Sequence, residues 1–234
     1  MPVSYQLDEG VATITLDDGK ANAIDLAVVD ELHAAFDRLG GDEARAVVLA
    51  GRPGRFTAGF DLAAMTAGPD SMRALVMAGG RLVARLMLLP QPVVAACTGH
   101  ALAMGGLLLL GADHRIGAAG DWKIGLNEVA IGLAMPRWGV ELARYRLAPT
   151  QLEWRLVLGQ TAGPDEALAA GFLDRVVPAE QVLDEAHSTA VRLAQLPISA
   201  VGGTKARLRA DVVDRMLYDI EADLAGISLD PPGA

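Results

Sequence analysis

The stretch Val93-Val94-Ala95-Ala96-Cys97-Thr98-Gly99-His100-Ala101-Leu102-Ala103-Met104-Gly105-Gly106 decides the fold. Val93 to Cys97 is a short, unbroken apolar run, the pattern of a strand covered on both faces. Gly99 to Gly106 reads as a loop, and Leu107 to Gly111 as helix. Pro90 and Pro92 end a preceding helix expected from about Ser71 to Leu89. A similar unit lies upstream. Ala46 to Ala50 is a buried, valine-rich strand, followed by a loop from Gly51 to Gly59. Arg115 to Ala118 returns as a further short strand. Strands alternating with helices predict an α/β fold of parallel character.

Outward from this centre, Val3–Leu7 and Val11–Leu16 form strands joined by the turn Asp8-Glu9-Gly10. Asp25 is placed to cap a helix running to about Leu39, with Val28, Val29, Leu32, Ala35, Phe36 and Leu39 on one face. Beyond Pro136 the pattern is mainly helical: 137–147, 149–158, 165–170, 179–196 and 199–224, with a strand between Phe172 and Val177. No linker separates this part, so residues 1–180 are read as an α/β core and 181–234 as a C-terminal helical region of the same fold. The tail Asp230-Pro231-Pro232-Gly233-Ala234 is expected to fray.

Composition narrows the function. The chain has 234 residues, 52% of them apolar, which suits a sizeable core. A net charge of -9 argues against a nucleic-acid surface, yet leaves room for one small polyanion held by a few cations. The single cysteine, Cys97, excludes an internal disulfide and sits in an apolar run, as a buried strand residue would. No apolar run is long enough to span a bilayer, and the N-terminus lacks the apolar core of a signal peptide, so the expected location is cytoplasmic. His33, His100, His114 and His187 are scattered, and no metal site is expected.

Two glycine-containing loops, Phe56-Thr57-Ala58-Gly59-Phe60-Asp61-Leu62 and Gly99 to Gly106, each follow a buried strand and precede a helix. Backbone N–H groups at such turns lack internal partners and attract negative charge. The loops are either ordinary turns or, if two donors converge, a cradle for an oxyanion. Neither matches a dinucleotide fingerprint, a phosphate-binding P-loop or a nucleophile elbow. Glu128, inside Lys123-Ile124-Gly125-Leu126-Asn127-Glu128-Val129-Ala130-Ile131-Gly132, is the third feature. A carboxylate in an apolar run is either a satisfied polar residue or an acid/base with a raised pKa.

Taken in order, Phe-x-Ala-Gly-x-Asp, Gly-His-Ala-x-Ala-x-Gly-Gly and Asn-Glu-Val-x-Ile-Gly resemble the enoyl-CoA hydratase/isomerase (crotonase) superfamily. Gly163-Pro164-Asp165-Glu166-Ala167, Ala170-Gly171-Phe172-Leu173-Asp174-Arg175-Val176-Val177 and Lys20-Ala21-Asn22-Ala23-Ile24 agree with it. The resemblance implies a crotonase-like ββα superhelix whose C-terminal helical region packs in a homotrimer or dimer of trimers. It implies an acyl-CoA thioester as substrate, with coenzyme A part of that substrate and no further cofactor. It places the oxyanion-hole amides at Phe60 and Met104, with Gly105 as the one-residue alternative. Met104 departs from the usual glycine, which requires a negative φ there or compensated strain. The same resemblance puts the CoA adenine near Ala58, Phe60, Asp61 and Leu62. Lys20 and Arg55 are either cations for its phosphates or solvated surface charge.

The resemblance also bears on the reaction. Hydratases of the family use two glutamates; one falls at Glu128, and the second position here is Leu107. One carboxylate suffices for moving a double bond from C3 to C2 through an enolate. An isomerase with Glu128 as acid/base is therefore favoured, against a hydratase proper, a CoA-thioester binder without chemistry, or a thioester hydrolase using His100 or Asp113. A Glu at 107 should raise hydration if the missing carboxylate limits it. Met72, Leu75, Val76 and Met77 either wall the acyl pocket or are plain core. Lys205, Arg207, Arg209 and Arg215 either reach a CoA phosphate or form a solvated face.

Overall fold

The computed structural model describes residues 2–229; the expected fraying of Asp230–Ala234 falls outside them. The chain opens with the antiparallel strands β1 (Val3–Asp8) and β2 (Val11–Leu16). β3 (Ala23–Ile24) leads into α1 (Leu26–Gly41), and the carboxylate of Asp25 caps it by accepting from Val28 N at 2.8 Å. There follow β4 (Ala46–Gly51), β5 (Gly54–Thr57), β6 (Gly59–Phe60), the short α2 (Leu62–Thr66) and the long α3 (Pro69–Leu88). β7 (Val93–Cys97), β8 (Gly99–Leu102) and α4 (Met104–Gly111) make a second ββα unit. The remainder is β9 (His114–Ala118), β10 (Ile124–Gly125), α5 (Arg137–Arg146), α6 (Pro164–Ala170), β11 (Arg175–Val177), α7 (Val182–Leu193), α8 (Ile198–Leu217) and α9 (Ile220–Ala225).

The main sheet has the order β1-β2-β4-β7-β9-β11 and is parallel from β2 onward. Its central strands are apolar at every position because both faces are covered. Val47, Leu49, Val93, Ala95 and Cys97 enter the larger core beneath α1, α3 and α4, while Ala46, Val48, Ala50, Val94 and Ala96 meet Val182, Ala186 and Ala190 of α7. The chain leaves β4 and β7 into a second layer, the sheet β10-β8-β5 with the parallel pair β3-β6 beside it. That layer carries both glycine-containing loops.

Three segments differ from expectation. Gly99–Leu102 is a strand, held between β5 and β10, and the following helix starts at Met104 rather than Leu107. All eight residues of α4 are buried, so it has no polar face to betray its period. Residues 149–158 form a 3₁₀ turn and a π turn instead of one helix. In the π turn Arg155 points inward, donating to Thr161 O at 2.8 Å and pairing with Glu166 at 3.2 Å. The last predicted helix breaks at Tyr218–Asp219, where Asp219 is left-handed (φ 47°), so that α9 turns back onto α3.

Of the basic residues picked out on α8, Lys205 and Arg209 follow neither expectation, while Arg207 and Arg215 lie on its exposed face. Lys205 and Arg209 are buried and converge on Asp113 at 2.5 and 2.7 Å. Lys205 also donates to Leu89 O and Gln91 O, and Arg209 to Met87 O, which satisfies carbonyls at the end of α3. Arg215 pairs with Glu141, and Arg207 stays on the surface, donating to Gly203 O. No helix among the described residues is long and apolar enough to cross a membrane.

Candidate active site

The two glycine-containing loops touch. Gly59 has φ 101°, and a Cβ there would lie 2.9 Å from Leu102 O and 3.0 Å from Ala103 Cβ, with Met104 N at 3.5 Å. Only glycine fits both the turn and the gap. At Gly105 a Cβ would fall 2.7 Å from Thr57 O, so the first turn of α4 rests directly on β5. Asn22 fixes the first loop from behind: its Nδ2 donates to Leu16 O, Arg55 O and Phe56 O, and its own carbonyl accepts from Thr57 Oγ1 at 2.5 Å. Asp61 N donates to Ile24 O at 2.9 Å. Successive strand residues face opposite ways, so the Phe60 N–H is turned away from β3.

The second loop concentrates its strain at one residue. Ala103 adopts φ 48°, ψ -116°, and it is held there from both sides. Its N–H donates to Gly125 O at 2.9 Å, and its carbonyl accepts from Leu107 N at 3.1 Å. Met104, next in line, already has helical backbone, so a side chain is tolerated where glycine was expected. Its N–H is in the first turn of α4 and has no partner within the helix. The Met104 thioether and the Phe60 ring both pack on Gly79 of α3, away from the turn.

A cavity of about 310 Å³ opens beside these loops. Its wall includes Ala58, Phe60, Asp61, Leu62, Ala103, Asn127 and Glu128, contributed by three separate segments. Glu128 is 5% exposed, and its Oε2 has no hydrogen-bond partner among the described residues. Its backbone is fixed, because its carbonyl accepts from both Ile131 N and Leu133 N at 3.0 Å. Burial pushes the Glu128 carboxyl up to about 8. Among the described residues no lysine or arginine lines the cavity to pull it back.

The model of the family described as "Enoyl-CoA hydratase/isomerase" matches residues 6–226. The chain belongs to the enoyl-CoA hydratase/isomerase family. It is 33% identical to human mitochondrial enoyl-CoA delta isomerase 1 over 92% of this chain and 72% of that protein. It is 34% identical to the probable enoyl-CoA hydratase echA17 of Mycobacterium avium, over 87% of this chain and 79% of that one. A crystal structure of an enoyl-CoA hydratase/isomerase family protein from Pseudomonas syringae superposes with a TM-score of 0.93 at 41% identity, covering 96% of this chain and 97% of that one.

The protein is thus a crotonase-fold enzyme of the hydratase/isomerase type, acting on acyl-CoA thioesters. For a member of this family the cavity gathers Ala58, Phe60, Asp61, Leu62 and Glu128 of the residues picked out from sequence. Met104 and Gly105 are buried and do not line it, though they follow directly on its wall residue Ala103. Leu107 does not line it; its Cδ2 lies 3.6 Å from the point a Cβ on Gly139 would occupy, so it faces α5. Lys20 is exposed and Arg55 half-buried opposite His100 on β8, both outside the cavity wall. Neither residue raised for hydrolysis is in the wall: His100 accepts from Lys123 N and packs edge-on to Trp122, and Asp113 accepts from Lys205, Arg209 and Val93 N. Burial pushes the Cys97 thiol up to about 12. Among the described residues Asp8, Glu9 and His187 bring possible ligand atoms within 4.8 Å of one another, at the β1–β2 turn and on α7. Sequence reasoning missed Met65, Ile131 and Leu133 as cavity residues; nothing in their local pattern marks them, since plain core gives the same spacing.

Proposed function

We propose that the protein isomerises 3-enoyl-CoA to 2-enoyl-CoA thioesters, with Glu128 as the single acid/base. One observation carries this reading. Among the described residues two carboxylates line the cavity; Asp61 is committed to capping α2, accepting from Ala64 N at 2.8 Å, and Glu128 Oε2 is uncommitted. The thioester oxygen would accept from the N–H groups of Phe60 and Met104, with Gly105 N–H next in line. The positive end of α4 adds to the field. Ionised Glu128 removes a proton from C2, the charge spreads onto the thioester oxygen as an enolate, and the protonated carboxyl of Glu128 returns the proton to C4. The proton lost equals the proton regained, so no water or cofactor is consumed. One oxyanion donor in such a site contributes about 3 kcal/mol.

Leu107 supports isomerisation over hydration, because the position of a second carboxylate is filled by a side chain turned to α5. In the same reading Lys20 and Arg55 take the CoA phosphates beyond the cavity, and the protein assembles as a homotrimer or dimer of trimers. Purified protein assayed with 3-enoyl-CoA should form the conjugated 2-enoyl product, with kcat/KM rising with pH through about 8 as Glu128 ionises. Glu128→Gln should lose about 10²–10⁴-fold. Rapid water addition to 2-enoyl-CoA that survives Glu128→Gln, or no C2 deuterium exchange in the native protein, would refute the assignment.

A further inference from the structure

Met65 is shared by two cavities. It lies at the end of α2, 3% exposed, and belongs to the wall of the cavity that contains Glu128. It also lines a second, larger cavity of about 430 Å³, with Pro69 and Met72 of α3 and with Ile227 and Leu229 near the end of the described chain. The two walls are continuous on the other side as well. Leu133 lines the first cavity and is joined by an isolated antiparallel bridge to Leu229 of the second.

The second cavity is built for an apolar occupant. Among the described residues its lining is mainly apolar, with the hydroxyls of Thr66 and Ser228, and holds no carboxylate or histidine. Its one charged side chain among the described residues, Arg73, is engaged: the guanidinium donates to Leu224 O and Ala225 O at 3.2 Å and pairs with Asp70, leaving its methylene stem for the cavity. A charged tail entering there would lose hydration and meet no side chain of opposite charge among the described residues that is not already engaged. The residue between the chambers is methionine, unbranched with three rotatable bonds, which can swing aside where a branched or aromatic residue would not.

We propose that Met65 is the gate of a two-chamber acyl channel, and that the preferred substrates are unbranched acyl thioesters long enough to pass it. This rests on the reading that the thioester lies between Phe60 and Glu128. The head of the substrate occupies the smaller chamber and the tail the larger.

The test uses binding and turnover together. Dissociation constants for saturated hexanoyl-CoA and dodecanoyl-CoA, and kcat/KM for the matching 3-enoyl thioesters, are measured on the whole chain. The native protein should favour the longer chain, by up to about fourfold for each methylene that reaches the second chamber. Met65→Phe should weaken the twelve-carbon ligand at least tenfold and the six-carbon ligand less than threefold. Met72→Phe, which narrows only the second chamber, should do the same and covers the case in which Met65→Phe fails to fold. Equal losses for both lengths in the folded variants, or no chain-length preference in the native protein, overturn the proposal. Chain-length-dependent binding without isomerisation supports the channel and refutes the reaction; isomerisation indifferent to length and to both variants does the reverse.

Discussion

Glu128 carries a stability cost that follows from its place in the cavity wall. In the unfolded chain a glutamate titrates near 4.3, whereas burial raises it to about 8 in the fold. Between those values the folded state holds a proton that the unfolded state has released. Stability therefore falls as pH rises through this window and levels off above about 8. Glu128→Gln removes the ionisation and keeps the shape, so it should melt several degrees above the native protein at pH 8.5, with the gap closing toward pH 4.5. Scanning calorimetry at both pH values checks this; each 1 kcal/mol is worth about 2–4 °C at this size. The importance of Glu128 was readable from the chain, because a lone carboxylate in an apolar run must be either paired or perturbed. Asn127 was readable only as part of that motif. That its Oδ1 is buried beside the acid without a partner depends on residues far away in sequence.

At the scale of the element, α4 combines two tasks: its first turn faces the site and the rest is core. Its start was misread by three residues because Gly and Leu on every side leave no periodicity to detect. The turn before it was also hidden, since Ala103 gives no sign of a positive φ, which is usually supplied by glycine. By contrast α1 was legible from Asp25 to its apolar face, because a cap and a one-sided stripe are local signals. The orientation of α4 changes what a Glu at 107 should do. Leu107 is 1% exposed and turned to α5, so Leu107→Glu buries an unpaired carboxylate. It should lower stability by about 3 kcal/mol or more in urea titrations, and any gain in hydration should be small.

Across the whole molecule, the C-terminal helices are fastened to the core by charge as well as by apolar contact. Asp113 receives Lys205, Arg209 and Val93 N, joining α8 to the end of α3 and the start of β7. Asp113→Ala would strand two buried cations, and it should cost about 3–5 kcal/mol in chemical denaturation, with α8 opening first to hydrogen exchange. The parallel sheet and the helical second half were legible from alternating apolar runs and helix-period stretches. The inward turn of Lys205 and Arg209 was not, because a basic residue on a helix reads as surface until its partner is known. The Leu133–Leu229 bridge has a further consequence, for synthesis. Leu133 sits only five positions past Glu128, but its bonding partner is translated almost a hundred codons later. A ribosome-bound chain stalled in between would lack the pairing that holds Leu133, and so would carry one wall residue of the Glu128 cavity untethered.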